Sequence, residues 1–147
     1  SAGSQSEALV ISNDFFPTFL EIAGIENNIS ENIDGISFIP SLKNPDKENH
    51  HTLFWHYPHY HAGSGMLPAG AVRSGKWKLI EWYEKSLLKD KEPAFELYDL
   101  ENDPGESSNL AGKLKSKTEA MAGELKRWRE DIKAQMPEVN KGFENQY

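Results

Sequence analysis

The chain has 147 residues, a formal net charge of −7 and a hydrophobic content of 37%, which indicate one ordinary globular domain or a small domain with an appendage. The negative charge argues against nonspecific binding to nucleic acid, because the phosphate backbone repels an acidic protein. The chain contains no cysteine, which excludes disulfides, thiolate zinc sites and a cysteine nucleophile.

The first element in chain order is a helix predicted over residues 14–23. Asp14 is its expected N-cap and Gly24 its expected end. Apolar residues surround more of this helix than a single stripe would, so we expect it to pack against a partner. The segment that follows, residues 25–48, is predicted to be mainly irregular, with a helical turn near residues 38–42.

Four strands are predicted around a central hairpin. The hairpin covers residues 71–83, with a tight turn at Ser74 and Gly75, because glycine supplies the positive φ that such turns need. The flanking strands are residues 52–57 and 94–100. Side chains alternate along a strand, which divides the second hairpin strand into two faces: Trp77, Leu79 and Glu81 on one, Lys78, Ile80 and Trp82 on the other.

The remaining segments complete an α+β prediction. Residues 59–70 hold three glycines and no periodicity, which predicts a long surface loop, and residues 84–93 are predicted to be a charged loop. A capping-box pattern at residues 116–119 opens a helix with the apolar stripe Met121, Leu125, Trp128 and Ile132. The predicted fold is a four-stranded antiparallel sheet packed against this long C-terminal helix.

The candidate binding residues are His56, His59, Tyr60, His61 and Arg73. The histidines allow three interpretations: a zinc site, polar loop residues without a ligand, or hydrogen bonding to a polar ligand such as a sugar. Zinc is disfavoured because no HExxH helix and no carboxylate at a fixed offset accompanies them. Arg73 is either an exposed strand arginine or a bidentate partner for an anion.

Other groups of residues are interpreted as structural. Trp55, Trp77 and Trp82 are expected in the core rather than as a sugar-binding platform. The acidic residues between positions 99 and 106 lack the spacing of a calcium loop and are explained by turn formation. Neither a nucleophile elbow nor a phosphate-binding loop is present. The residues therefore indicate binding potential without a catalytic set.

Three blocks of the sequence resemble the sulfatase family, an arylsulfatase-like branch of the alkaline-phosphatase superfamily. Residues 14–24 and 34–37 match D-x-x-P-T-x-L-x-x-A-G followed by D-G-x-S. Residues 71–80 match A-x-R-x-G-x-x-K-L-I, and residues 96–110 match E-L-Y-D-L-x-x-D-P-x-E-x-x-N-L. Residues 54–59 resemble the branch of arylsulfatase A and N-acetylgalactosamine-6-sulfatase.

The resemblance implies a C-terminal piece of a hydrolase of sulfate esters, of a sulfated sugar or an aryl sulfate. It implies a junction segment at residues 1–48, left over from the larger α/β catalytic domain, and a C-terminal subdomain at residues 49–147. The subdomain would supply packing and substrate-selecting side chains, for which His56, Arg73 and the loop between them are the candidates.

The nucleophile and the metal would belong to the missing catalytic domain, which is the expected partner. The family makes formylglycine from Cys or Ser in [CS]-x-[PA]-x-R, a motif that this sequence lacks, and its calcium ligands also lie outside the matched blocks. A sulfated small molecule or glycan is the expected ligand, and a periplasmic or secreted location is expected for the parent protein. The alternatives are a stand-alone carbohydrate- or anion-binding module and an interaction domain that docks through its phenylalanines.

Overall fold

A computed structural model describes residues 3–25, 33–88 and 94–140, which divide into two compact units, Ser1–Leu53 and Phe54–Tyr147. The helices and strands of the described residues are a 3-10 turn at Ser12–Asp14, α1 (Phe15–Ile22), α2 (Ile39–Lys43), β1 (Thr52–Tyr57), β2 (Ala69–Ser74), β3 (Trp77–Trp82), α3 (Tyr83–Leu88), β4 (Phe95–Asp99) and α4 (Lys115–Asp131). No helix among the described residues is both long enough and apolar enough to cross a membrane.

Asp14 organises the first unit from the N-cap position of α1. It precedes the helix as predicted, but its backbone is helical and its side chain makes no cap hydrogen bond to α1. The buried carboxylate accepts hydrogen bonds from the backbone N–H groups of Ile11 (2.9 Å) and Ile36 (3.0 Å) and lies 2.7 Å from His50 Nε2. These hydrogen bonds lower the pKa of Asp14 against the opposing effect of its burial.

Gly35 lies where the chain returns to this carboxylate. A Cβ atom at Gly35 would meet the carbonyl oxygen of Asn13 at 2.0 Å, so the position accepts only glycine. Thr18 adds a second link, because its Oγ1 donates to Asp14 O and accepts from Phe38 N. The D-x-x-P-T and D-G blocks of the sequence therefore form one polar junction.

Helix α1 exposes much of its apolar surface. Phe16 is 52% exposed, Phe19 61% and Ile22 64%. Pro17 and Thr18 are its buried residues, and Gly24 follows its end with a φ of +67°. This agrees with the expectation that the helix is too apolar for a free surface.

The described strands form one antiparallel sheet in the order β1-β2-β3-β4. In the central hairpin Ser74 pairs with Trp77, so the tight turn consists of Gly75 and Lys76, one residue later than predicted. Gly75 has a φ of +55°, as the turn requires. The next pairing sets Leu79 opposite Leu97.

One face of the sheet packs against α4. Val72, Leu79, Leu97 and Leu125 are fully buried there, and Met121 is nearly so. Phe54 and Trp128 stack with their ring centroids 4.9 Å apart. The predicted stripe on α4 is confirmed for its first three residues, whereas Ile132 follows the helix and is half exposed.

Two local predictions differ from the structure. The capping box at residues 116–119 does not form, because α4 begins at Lys115 and Thr118 Oγ1 donates instead to the carbonyl oxygen of Leu114. The predicted loop at residues 84–93 begins as helix α3, whose Tyr83 is buried and whose Ser86 Oγ donates to Glu81 at 2.8 Å. Residues 89–93 lie outside the described part of the chain.

Candidate functional site

The face of the sheet opposite α4 holds a cavity of about 620 Å³. We call this face of the sheet the open face. Its strand positions alternate with the buried core positions, so the cavity follows directly from the period of two along β2 and β3. The side chains that characterise it are Trp55, Ala71, Arg73, Lys78, Ile80, Trp82 and Glu106.

Two cations mark one end of this cavity. Arg73 and Lys78 are direct partners in the β2–β3 register, so their side chains lie side by side on one face. Arg73 Nε donates to the carbonyl oxygen of Gly75 at 3.2 Å. Lys78 Nζ lies 2.7 Å from Glu106 Oε1. One carboxylate thus opposes two cations, which leaves one net positive charge.

Glu106 reaches Lys78 from a constrained turn. Its φ of 54° lies in the left-handed region, which is uncommon for a residue with a side chain. The turn is held by Asp103, whose carboxylate accepts hydrogen bonds from Ser107 and from the backbone of Ser108. The hydrogen bonds of Ser107, first that of its backbone, lower the pKa of Asp103. The D-P-x-E block therefore positions a carboxylate beside Lys78.

Tyr98 continues the open face beside Lys78, its partner in the β3–β4 register. Its hydroxyl donates to Glu96 Oε2 at 3.0 Å. Burial, followed by the carboxylate of Glu96, raises the pKa of Tyr98 to about 12. The phenol is therefore neutral at ordinary pH.

His56 is half buried and is held in place by two hydrogen-bonding contacts. Its Nδ1 lies 2.6 Å from the hydroxyl of Tyr83, and its Nε2 lies 2.9 Å from the carbonyl oxygen of Gln135. A carbonyl only accepts, so Nε2 carries a hydrogen and donates it. Tyr83 is buried, which raises its pKa, and Arg129 lies over its ring. Both ring nitrogens of His56 are thus engaged by the protein.

The other three predicted binding residues are neighbours in sequence, but each makes different contacts. His59 contacts Tyr57 edge-on, with centroids 5.7 Å apart. Tyr60 lines a second cavity of about 560 Å³ together with Glu84, and partial burial followed by the Glu84 carboxylate raises its pKa. His61 Nδ1 lies 3.0 Å from Ser64 Oγ. The backbone N–H of His61 donates to the carbonyl oxygen of Met66, which closes the loop. Of the five predicted residues, the structure brings only His56 and Arg73 into one cavity.

Lys78, Glu106 and two tryptophans belong to the site but were not among the predicted residues. Trp77 packs against the core as expected, whereas Trp55 and Trp82 lie on the open face, which corrects their assignment to the core. The alternation along β3 places Lys78 and Trp82 on the face opposite Trp77, and this signal could have identified both as site residues. No group of three metal-binding side chains occurs in the described residues.

The profile of the family described as N-sulphoglucosamine sulphohydrolase, C-terminal, matches residues 1–135. An N-acetylglucosamine-6-O-sulfatase of Bacteroides thetaiotaomicron is 34% identical over 76% of this chain and 19% of its own length. An arylsulfatase K of Xenopus laevis is 28% identical over 86% of this chain and 23% of its own length.

Solved structures agree with these relatives. The structure of BT4656 in complex with its substrate D-glucosamine-2-N,6-O-disulfate matches 93% of this chain and 27% of that chain, with a TM-score of 0.73 and 30% identity. A phosphonate monoester hydrolase of Agrobacterium radiobacter, 21% identical with a TM-score of 0.59, shares the fold.

The chain spans about a fifth to a quarter of the length of these curated relatives. They support the resemblance at the level of the family, whereas the narrower branch of arylsulfatase A and N-acetylgalactosamine-6-sulfatase stays a prediction. The α+β prediction is confirmed by the sheet and by α4. The chain belongs to the sulfatases, in the family of N-sulphoglucosamine sulphohydrolase C-terminal domains.

Proposed function

We propose that this chain is the C-terminal part of a sulfatase that hydrolyses a sulfate ester on a sulfated amino sugar. The observation that carries the proposal is the match over 93% of the chain, at 30% identity, to BT4656, whose substrate is a disulfated glucosamine. The N-acetylglucosamine-6-O-sulfatase of Bacteroides thetaiotaomicron supports the same class of substrate.

The chemistry of the reaction belongs to the part of the parent protein outside this chain. The described residues do not fit a metal ion, since they hold no group of three suitable ligands. The sequence has no cysteine and no Ser four positions before an arginine, so it cannot supply the formylglycine motif. The parent's catalytic domain would provide formylglycine and calcium, and residues 1–48 would form the junction with it.

The role of this chain is packing and selection of the substrate. Arg73 is suited to a sulfate group, because a guanidinium donates two parallel hydrogen bonds to an oxyanion. His59, Tyr60 and His61 are exposed polar residues on one loop and are proposed to contact sugar hydroxyls. His56 is proposed to shape the cavity wall beside the substrate, since Tyr83 and Gln135 hold both of its ring nitrogens.

The direct test is sulfate release by the full-length parent and by the 147-residue chain, each incubated with N-acetylglucosamine 6-sulfate. We expect the parent to release sulfate and this chain alone to release none. A parent that carries the [CS]-x-[PA]-x-R motif, binds calcium and yet releases no sulfate from any sulfated hexosamine would contradict the proposal. A signal sequence at the start of the parent would support a periplasmic or secreted location.

A stand-alone carbohydrate- or anion-binding module is the second candidate function. The cavity favours it, because two cations and two indole side chains line one surface. The two candidates differ in what precedes Ser1 in the gene. An upstream open frame of sulfatase length supports the hydrolase, and a start codon with a signal sequence directly upstream supports the module.

A further inference from the structure

Arg73 is the cation on the open face that can accept a ligand. Lys78 already has a carboxylate partner, Glu106, which the turn at Asp103 holds in place. Within the described parts of the chain, Arg73 donates only from Nε, to Gly75, and its two terminal nitrogens have no partner. Like charges directly opposite each other destabilise a sheet, so an anion at Arg73 would also relieve the repulsion from Lys78.

The surroundings of Arg73 suit an anion that is attached to a sugar ring. The same face carries the small side chain of Ala71, the aliphatic side chain of Ile80 and the indole of Trp82. Such apolar surfaces pack against the C–H faces of a sugar, whereas a free inorganic anion would gain nothing from them. A volume of about 620 Å³ is sufficient for a monosaccharide with its substituents.

The nucleophile is assigned to the parent's catalytic domain, because a guanidinium and an ammonium bind an oxyanion but neither attacks sulfur. The anion at Arg73 is therefore either the reacting sulfate or a second anionic substituent of the substrate. A substrate with two anionic groups can place one at Arg73 and the other at the nucleophile. The substrate of BT4656 carries two sulfate groups, which is the pattern that such an arrangement needs.

We propose that Arg73, with Lys78 beside it, forms a second anion site that holds an uncleaved sulfate or carboxylate of the substrate while another sulfate ester is hydrolysed. The proposal rests on the proposed function and deepens it: the preferred substrate is a sugar with at least two anionic groups. Arg73 is then a specificity-determining residue, and the cavity wall at Ala71, Ile80 and Trp82 receives the sugar ring.

The first experiment titrates the 147-residue chain with D-glucosamine-2-N,6-O-disulfate and follows tryptophan fluorescence, to which Trp55 and Trp82 in the cavity contribute. We expect a saturable change, a weaker one with glucuronic acid and none with N-acetylglucosamine at the same concentrations. Arg73→Gln should weaken binding by about tenfold or more, since it removes a charge-assisted hydrogen-bond donor. Arg127→Gln, on an exposed part of α4, is the matched control and should bind like the wild type.

Two further variants keep the test decisive if Arg73→Gln does not fold, which circular dichroism will show. Ala71→Phe fills the cavity without changing its charge and should abolish binding of the sugar. Lys78→Gln removes the second cation and should weaken binding to a smaller extent. Equal binding by Arg73→Gln and Arg127→Gln would overturn the proposal, and so would sodium sulfate that binds as tightly as the disulfated sugar.

The second experiment separates this proposal from the proposed function. In the full-length parent, Arg73→Gln should lower kcat/KM for a disulfated glucosamine at least tenfold more than for a monosulfated one. A purely structural role for Arg73 would lower both values equally and would overturn the proposal. A parent that hydrolyses sulfate esters while this chain binds no disulfated sugar would reject the anion site alone. A parent that hydrolyses no sulfate ester would reject the proposed function, whatever this chain binds.

Discussion

The two faces of the sheet use neighbouring residues for opposite purposes. On the face toward α4, Leu79 and Leu97 are fully buried and the contacts are almost entirely apolar. On the open face, the residues on either side of Leu79 in β3, Lys78 and Ile80, line a cavity with charged and aromatic walls. The first face is therefore mainly apolar packing that stabilises the fold, whereas the second combines charged and apolar side chains around a cavity.

The largest expected effect tests a polar exception on the α4 side. Arg129 Nη1 lies 2.8 Å from Glu81 Oε2, and both side chains are about nine-tenths buried. Arg129→Met leaves a buried carboxylate without its partner, so we expect a loss of about 4 kcal/mol in the free energy of unfolding, measured by urea denaturation. The double variant with Glu81→Leu should recover most of this loss. A double variant as unstable as the single one would show that the loss of stability comes from lost packing of the Arg129 side chain and not from the unpaired charge.

The second prediction compares adjacent residues of β3. Leu79→Ala removes a fully buried side chain and leaves a cavity, which should cost about 3 kcal/mol. Ile80→Ala, on the open face, should cost about 1 kcal/mol or less, because its side chain is already partly exposed. Urea denaturation of both variants measures the two losses in the free energy of unfolding. Equal losses would remove the distinction between the two faces.

The third prediction concerns the start of β2, where Gly70 lies against Tyr83. A Cβ at Gly70 would meet the hydroxyl of Tyr83 at 2.2 Å, and Tyr83 is buried and unable to move freely. Gly70→Ala should therefore cost about 2 kcal/mol. Gly123→Ala, in helix α4, is the control and should stabilise the protein by about 0.5–1 kcal/mol, because alanine favours a helix. Thermal unfolding checks that the two shifts have opposite signs.

The smallest effect lies on the open face and depends on pH. The pKa of Tyr98 is raised to about 12 in the folded protein, above its ordinary value of 10.0. The neutral phenol thus adds stability that is complete below pH 10 and is lost as the pH rises through about 12. Glu96→Gln should lower this pKa, because the carboxylate that disfavours ionisation is gone. An ultraviolet titration of tyrosinate reads the shift, and an unchanged curve would contradict the assignment.

Sequence reasoning predicts the α4 side of the sheet well. The alternation along β3 and the stripe of Met121, Leu125 and Trp128 on α4 are local patterns, and their burial follows from the period of each element. Sequence reasoning does not predict helix α3. The charges of residues 84–85 were interpreted as a loop, whereas glutamate, lysine and leucine have a high helix propensity and the segment forms a helix.

The open face depends on contacts that no local pattern contains. Glu106 reaches Lys78 across 28 positions of sequence, and it does so from a left-handed backbone. Asp14 likewise has the sequence position of a helix cap. Its carboxylate, however, accepts a hydrogen bond from Ile36 N–H and contacts His50, both more than 20 positions away. Of the histidines near Pro58, His56 lines the open-face cavity, whereas His59 and His61 are not among its lining residues.

The contact between Gly35 and Asn13 has a consequence for how this chain tolerates change. The atoms that a side chain would meet are backbone atoms, which cannot rotate away as the end of a lysine would. In a library of every substitution at every position, we expect position 35 to survive only as glycine, with even alanine lost. Gly105 and Gly112, which have open space around them, should accept many residues.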